Sequence, residues 1–239
     1  MLACGGHERT IDVYEVVPDG RSGEHRVTLQ LRSRCKGHSS TLLHLDWSCC
    51  GRLLLSNCAA REALCWRMPS GKRLVQAGRV IADTPWATWT GVLGFPVLGV
   101  WPDGSDGSDV NAAHRSSDGR LVLTADDYGG IKLFNAPCVV EGAPYRLATG
   151  HCSHVSAVSF LRSDDLVVSG GGKDRSQMLW RLVAAPAHAP PQPEAAPPPT
   201  LPSRAWRPQG GGTLTGNAAA WRNHGTQALL LQQRPRELY

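Results

Sequence analysis

Phenylalanine and tyrosine are scarce in this 239-residue chain, three and four residues against eight tryptophans. A structural unit that reuses tryptophan in one strand produces that balance. Long apolar runs are missing as well. The longest apolar stretch, from Thr90 to Trp101, is interrupted by Gly91, Gly94, Pro96 and Gly99, which leaves it too short to span a bilayer. The first residues, Met1 to His7, have neither the charged start nor the apolar core of a signal peptide. No Cys-x-x-Cys pair occurs among the eight cysteines. Zinc sites are commonly built on closely paired ligands, so no metal is expected and the thiols are read as free, in a reducing compartment. The net charge of +5 is not gathered into a basic stripe. Much of it belongs to Arg204, Arg207, Arg222, Arg234 and Arg236 near the end of the chain, which excludes a nucleic-acid footprint as the first reading.

Signatures of catalysis are equally thin. Gly170-Gly171-Gly172-Lys173 has the flavour of a phosphate loop, but Asp174 stands where serine or threonine is required. No Gly-x-Ser-x-Gly elbow is present. The acidic pairs Asp126-Asp127 and Asp164-Asp165 are adjacent and read as turns. The chain is therefore expected not to be an enzyme and to need no cofactor.

What the sequence does contain is strand pattern. Thr10 to Val16 and Arg26 to Leu31 alternate apolar and polar residues, as half-buried strands do. Leu42–Trp47, Arg52–Ser56 and Ala63–Trp66 follow, with Leu74–Ala77 as a candidate fourth. The pattern returns in Val110–His114, Leu121–Ala125, Ile131–Phe134 and Tyr145–Ala148, then in Val155–Leu161, Leu166–Ser169 and Gln177–Leu182. Ser117-Asp118-Gly119 carries the Asp-Gly of a tight hairpin. No segment before residue 184 keeps a long 3.6-residue period, so the fold is expected to be all-β.

A repeat organises these strands. Gly37-His38 precedes Trp66, and Gly150-His151 precedes Trp180 at nearly the same interval. Gly-His and tryptophan marks at that spacing belong to WD40-type propeller blades. A partial WD40-type β-propeller of about three and a half blades is predicted over residues 1–183. The chain is expected to begin inside a repeat, as a fragment or truncated form would. After Ala184, prolines crowd together from Pro186 to Pro202 and Gly210-Gly211-Gly212 follows. Residues 184–239 are read as a disordered Pro/Gly/Ala-rich tail, with at best a helical turn at Ala228–Leu231. The last blade is left without an obvious fourth strand.

Within a blade of this type a loop histidine, a strand hydroxyl, a turn acid and a strand tryptophan can share hydrogen bonds. The candidates are His151, Ser169, Asp174 and Trp180 in the last blade and His38, Ser56 and Trp66 in the earlier one. Ala60 occupies the expected place of the turn acid, so the earlier network is expected not to close in the usual way. The middle blade has no Gly-His. All these residues are read as braces rather than as acids, bases or ligands. Asp103, Asp106 and Asp109 form a loop that could touch a partner; calcium is disfavoured because these residues fall three apart with no later glutamate. Unpaired sheet edges invite association, so the chain alone is expected to aggregate or to need further, N-terminal blades.

Two segments carry a family resemblance. Gly37 to Ser48 and the insert Trp86 to Val97, continued by Gly107–Ala112, Ala125–Gly129, Gly171–Asp174 and Trp180-Arg181, resemble the echinoderm microtubule-associated protein-like family over roughly residues 1–183. The resemblance implies the C-terminal blades of a tandem propeller, in a protein of the cytoplasm and cytoskeleton, on microtubules and the spindle. It implies a non-catalytic scaffold with tubulin, microtubules or other proteins as partners, and neither nucleic acid nor membrane. The family's coiled coil and basic microtubule-attachment region are not in this sequence. Two other readings stand beside it: an adaptor such as a ubiquitin-ligase substrate receptor, and a truncated fragment without independent function. The proline run could also dock an aromatic groove as polyproline II.

Overall fold

The computed structural model describes residues 1–18, 27–102, 104–105, 107–184 and 229–233. Among these residues, four antiparallel sheets follow one another. The first holds β1 (Leu2–Gly5), β2 (Thr10–Pro18) and β3 (Val27–Lys36). The second holds β4 (Leu42–Trp47), β5 (Leu53–Cys58), β6 (Ala63–Arg67) and β7 (Lys72–Arg73). The third holds β8 (Val110–Arg115), β9 (Leu121–Asp126), β10 (Gly130–Asn135) and β11 (Tyr145–Thr149). The fourth holds β12 (Val155–Phe160), β13 (Leu166–Gly171), β14 (Gln177–Ala184) and β15 (Leu229–Gln233). Strand order within each sheet follows chain order, as short hairpin connections require. One three-stranded and three four-stranded units make the three and a half blades that the repeat predicts.

The blades share an irregularity. Register slips between Leu42 and His44, between Val110 and Ala112, and between Val155 and Ala157. Each slip falls at the start of a blade's first strand, where a bulge adds a residue and increases local twist.

Three apolar cores lie between successive sheets. Ile11, Val13 and Cys35 of the first sheet pack with Leu42, Leu54 and Trp66 of the second. Leu123, Ala125 and Ile131 of the third pack with Val155, Phe160 and Val167 of the fourth. Between the second and third sheets the core takes in the insert. Trp86, Trp89, Val92, Val97 and Val100 join Leu55 and Cys65 on one side and Val122 and Phe134 on the other. Burying one indole withdraws roughly 200 Å² from water, worth about 5 kcal/mol at 25 cal/mol per Å². The insert is thus a wedge of core rather than a surface loop.

Several expectations are corrected. The fourth strand of the second blade is Lys72–Arg73, not Leu74–Ala77: a last ladder bond runs from the Leu74 N–H to the Cys65 carbonyl at 2.8 Å, and the chain then turns through residues 75–77, with Gln76 at a φ of 56°. β3 runs on to Lys36, well past Leu31. Two short helical segments, α1 (Gly78–Asp83) and a 3-10 helix at Phe95–Val100, flank the insert; at six residues each, they are too short to impose a period on the sequence. The last blade does have a fourth strand. β15 pairs with β14 in register Leu182↔Leu231, so this stretch of the segment read as disordered is strand, and the helical turn at Ala228–Leu231 is replaced by strand from Leu229. The free edge of β14 offers unpaired N–H and C=O groups, which any extended segment can satisfy. The rest of the tail lies outside the described residues. Among the described residues no helix is long and apolar enough to cross a membrane.

Candidate functional site

Each blade that begins with Gly-His carries a buried polar chain. In the last blade the Trp180 indole N–H donates to Ser169 Oγ at 2.8 Å, and Ser169 Oγ lies 2.7 Å from His151 Nε2. His151 Nδ1 lies 2.9 Å from Asp174 Oδ2, which also accepts the Cys152 N–H at 3.1 Å. The donors run in one direction: indole to hydroxyl, hydroxyl to imidazole, imidazole to carboxylate. The Ser176 backbone N–H, opposed by burial and helped by His151, the Ser176 hydroxyl and the Cys152 N–H, holds the Asp174 carboxyl down at about 2. Gly171 is required here, since a Cβ at that position would collide with Asp174 and His151.

The second blade builds the same chain from a different acid. Trp66 donates to Ser56 Oγ at 2.7 Å, and His38 Nε2 lies 2.6 Å from that oxygen. Ala60 supplies nothing, but Glu62, two residues on, takes the acid's place. Its Oε2 lies 3.2 Å from His38 Nδ1 and accepts the Ser39 N–H at 2.9 Å. A glutamate's extra methylene spans the added distance. The expectation that Ala60 leaves this network open in the usual form is therefore met by a substitute that a fixed-offset search passes over. Burial pushes the Glu62 carboxyl up, but hydrogen bonds from Ser39, Cys58 and His38 outweigh it and hold it at about 2. Burial lowers the pKa of His38, partly offset by Glu62, which favours the neutral imidazole. Cys58 donates its S–H to Glu62 Oε2 at 3.2 Å. Among the described residues, His38, Cys58 and Glu62 form a group of metal-ligating side chains whose ligand atoms all lie within 4.8 Å of one another.

The middle blade shows the chain dismantled. Thr124 occupies the hydroxyl position and Phe134 the tryptophan position, as their pairings with Lys132 and Val122 show. Phenylalanine has no N–H to give. The Thr124 Oγ1 is buried and, among the described residues, has no hydrogen-bond partner. Asp126 serves the adjacent turn instead, accepting the Tyr128 N–H at 3.0 Å and the Gly130 N–H at 2.7 Å, with Lys132 Nζ 3.2 Å away.

The insert is pinned by a second buried acid that spacing rules did not single out. Asp46 Oδ1 accepts the Thr88 hydroxyl at 2.7 Å. Its Oδ2 accepts the Thr90 N–H at 2.9 Å and the Gly91 N–H at 3.1 Å. The Trp86 and Trp89 indoles donate to the carbonyls of Ile81 and Gly91 at 2.9 and 2.8 Å. Arg115 Nη2 donates to the Trp86 carbonyl at 2.5 Å. Beside it, Trp86, Phe95, Pro96, Arg115 and Pro137 line an open cleft of about 210 Å³.

Of the candidate contact loop, Asp103 and Asp106 lie outside the described residues. Asp109 is tied down: its carbonyl accepts the Asp127 N–H at 3.0 Å, and the Tyr128 hydroxyl lies 3.5 Å from its Oδ1. Cys4, Cys49, Cys50 and Cys152 are exposed, and Cys35, Cys58, Cys65 and Cys138 are buried; all are free. Burial pushes the Cys35, Cys65 and Cys138 thiols up to about 11, which makes them inert.

Repeated four-stranded sheets with Gly-His entries and a His–Ser–acid–Trp chain define a WD-type β-propeller. The chain belongs to the echinoderm microtubule-associated protein family, whose second β-propeller model matches residues 1–182. It is 42% identical over 203 residues to human echinoderm microtubule-associated protein-like 3, covering 85% of this chain and 21% of that protein. It is 42% identical over 189 residues to the Xenopus tropicalis protein-like 4, covering 79% and 20%. Human protein-like 1 is 44% identical over 183 residues, covering 77% and 22%. The chain spans about a fifth of the length of these relatives.

Proposed function

We propose that this protein is a non-catalytic interaction scaffold of the microtubule cytoskeleton, with tubulin or a spindle-associated protein bound on its propeller surfaces. The match of residues 1–182 to the second propeller of a microtubule-associated family carries the reading. The site geometry supports it. His38, Ser56, Trp66, His151, Ser169, Asp174 and Trp180 are consumed in bracing blades, and their polar atoms face one another rather than a substrate. The loop holding Asp103, Asp106 and Asp109 is proposed as a partner contact, and the segment after Ala184, apart from the strand Leu229–Gln233, as a tail.

The test is retention of purified soluble tubulin by the tagged 239-residue chain, with a triple Asp103→Ser/Asp106→Ser/Asp109→Ser variant alongside. Capture by the native chain and weaker capture by the variant are expected. No tubulin capture by a folded chain sinks the tubulin reading. Retention of a ubiquitin-ligase component in its place would favour the adaptor reading.

A further inference from the structure

Besides the exchange of Asp174 for Glu62, the two intact blade chains differ in what else faces the carboxylate. In the last blade the carboxylate faces an imidazole and a hydroxyl, Ser176 Oγ, which lies 3.0 Å from His151 Nδ1. In the second blade it faces an imidazole and a thiol. His38 Nδ1 and Cys58 Sγ each lie 3.2 Å from the same oxygen, Glu62 Oε2. Two donors and one carboxylate thus converge at a partly exposed edge, where the Glu62 side chain is 34% accessible.

That convergence fits the edges of a metal tetrahedron. Zinc binds thiolate at about 2.3 Å, imidazole nitrogen at about 2.0–2.1 Å and carboxylate oxygen at about 2.0–2.2 Å. Tetrahedral angles then set the N···O and S···O separations at roughly 3.3–3.6 Å. The two 3.2 Å separations from Glu62 Oε2 lie just below that range, and the third edge, from Nδ1 to Sγ, is within 4.8 Å. We propose that His38 Nδ1, Cys58 Sγ and Glu62 bind one zinc(II) ion, with water completing the shell.

The protons balance without new partners. In the metal-free chain Nδ1–H donates to Glu62, and the Ser56 hydroxyl donates to Nε2. When the metal takes Nδ1, the imidazole stays neutral by carrying its proton on Nε2, which then donates to Ser56. The Ser56 hydroxyl turns to the Leu64 carbonyl, already 3.3 Å away. Trp66 still donates to Ser56, and Ser39 still holds Glu62. The thiol proton leaves to solvent. A dication entering beside a thiolate and a carboxylate makes the site neutral, where a lone carboxylate stood before. Ser56 then orients the imidazole from behind, as partners of ligating histidines do. The ligands escape a search for close pairs because His38 reaches the site from a different strand connection, and Cys58 and Glu62 straddle a turn.

Cobalt(II) added to the chelator-stripped full chain reads the site directly. One equivalent is expected to raise a thiolate-to-cobalt charge-transfer band that zinc bleaches. Cys58→Ser abolishes the band, Glu62→Gln weakens binding by at least about tenfold, and Cys152→Ser, at an exposed thiol, leaves it intact. Mass mapping of alkylated cysteines in the unmutated chain gives an independent readout: because Cys58 is buried, alkylation is run in enough urea to label it in the metal-free chain, and saturating zinc then protects it. No band in the folded chain, a band indifferent to Cys58→Ser in a folded variant, or full alkylation of Cys58 under saturating zinc overturns the proposal.

Discussion

Thr124 shows what a blade keeps where histidine and indole are missing: a buried hydroxyl with no partner among the described residues. An unsatisfied buried polar group costs about 1–3 kcal/mol. Thr124→Val replaces the hydroxyl with a methyl of similar size, so it is expected to raise stability by about 1 kcal/mol in urea denaturation. Ser56 and Ser169 occupy the same position in intact chains, and there the loss of the hydroxyl strands an indole and an imidazole. The acids govern pH dependence at this scale. Glu62 and Asp174 sit near 2 in the fold, against ordinary values of 4.5 and 3.8. A lowered carboxyl pKa stabilises above its unfolded value and ceases to do so as pH falls through the folded one. His38, lowered by burial, acts in the same direction, because protonation below its ordinary 6.5 favours the unfolded chain. The melting temperature is therefore expected to fall gently below pH 6.5 and more steeply from about 4.5 toward 2. A Glu62→Gln variant should lose part of the steep phase; an unchanged profile would remove Glu62 from the account.

At the scale of elements, the insert depends on one residue outside it. Asp46 on β4 accepts the N–H groups of Thr90 and Gly91 and the hydroxyls of Thr88 and Thr90. Asp46→Ala leaves those donors buried and unpaired, at a cost of at least about 2 kcal/mol. Limited proteolysis is expected to cut the variant first between Thr84 and Trp101, while the native chain resists there. The insert's importance was visible in its tryptophans, but its anchor was not. Asp46 precedes the insert by some forty residues, and an acid in a half-buried strand has no spacing that marks it. Strand order and repeat phase were legible because alternation and Gly-His marks are local. The place of β15 was not, because a strand edge recruits its partner by geometry rather than by proximity in sequence.

For the whole molecule, the first sheet presents an open face. A register slip between Val13 and Tyr14 moves the alternation of β3 by one residue, which turns its apolar side chains over. Leu31, Leu29 and Val27 then lie opposite Tyr14, Val16 and Pro18. Leu29, Leu31 and Val27 are 48%, 53% and 59% exposed, and Val16 is 40% exposed. A contiguous apolar ribbon of this kind promotes association. Leu29→Lys with Leu31→Lys is expected to shift the chain toward monomer in size-exclusion chromatography with light scattering, with little change in melting temperature. A chain that is already monomeric would show the ribbon to be harmless.

The amino-acid order alone determined the β class, the blade count and the family, because pleat alternation, turn glycines and Gly-His/Trp marks act over a few residues. Tertiary structure alone decided that Glu62 stands in for the acid missing at Ala60, that Asp46 clamps the insert and that Leu229–Gln233 finishes the last sheet. Those outcomes depend on which donors and edges remain unsatisfied once the sheets have packed, and that inventory exists only in three dimensions.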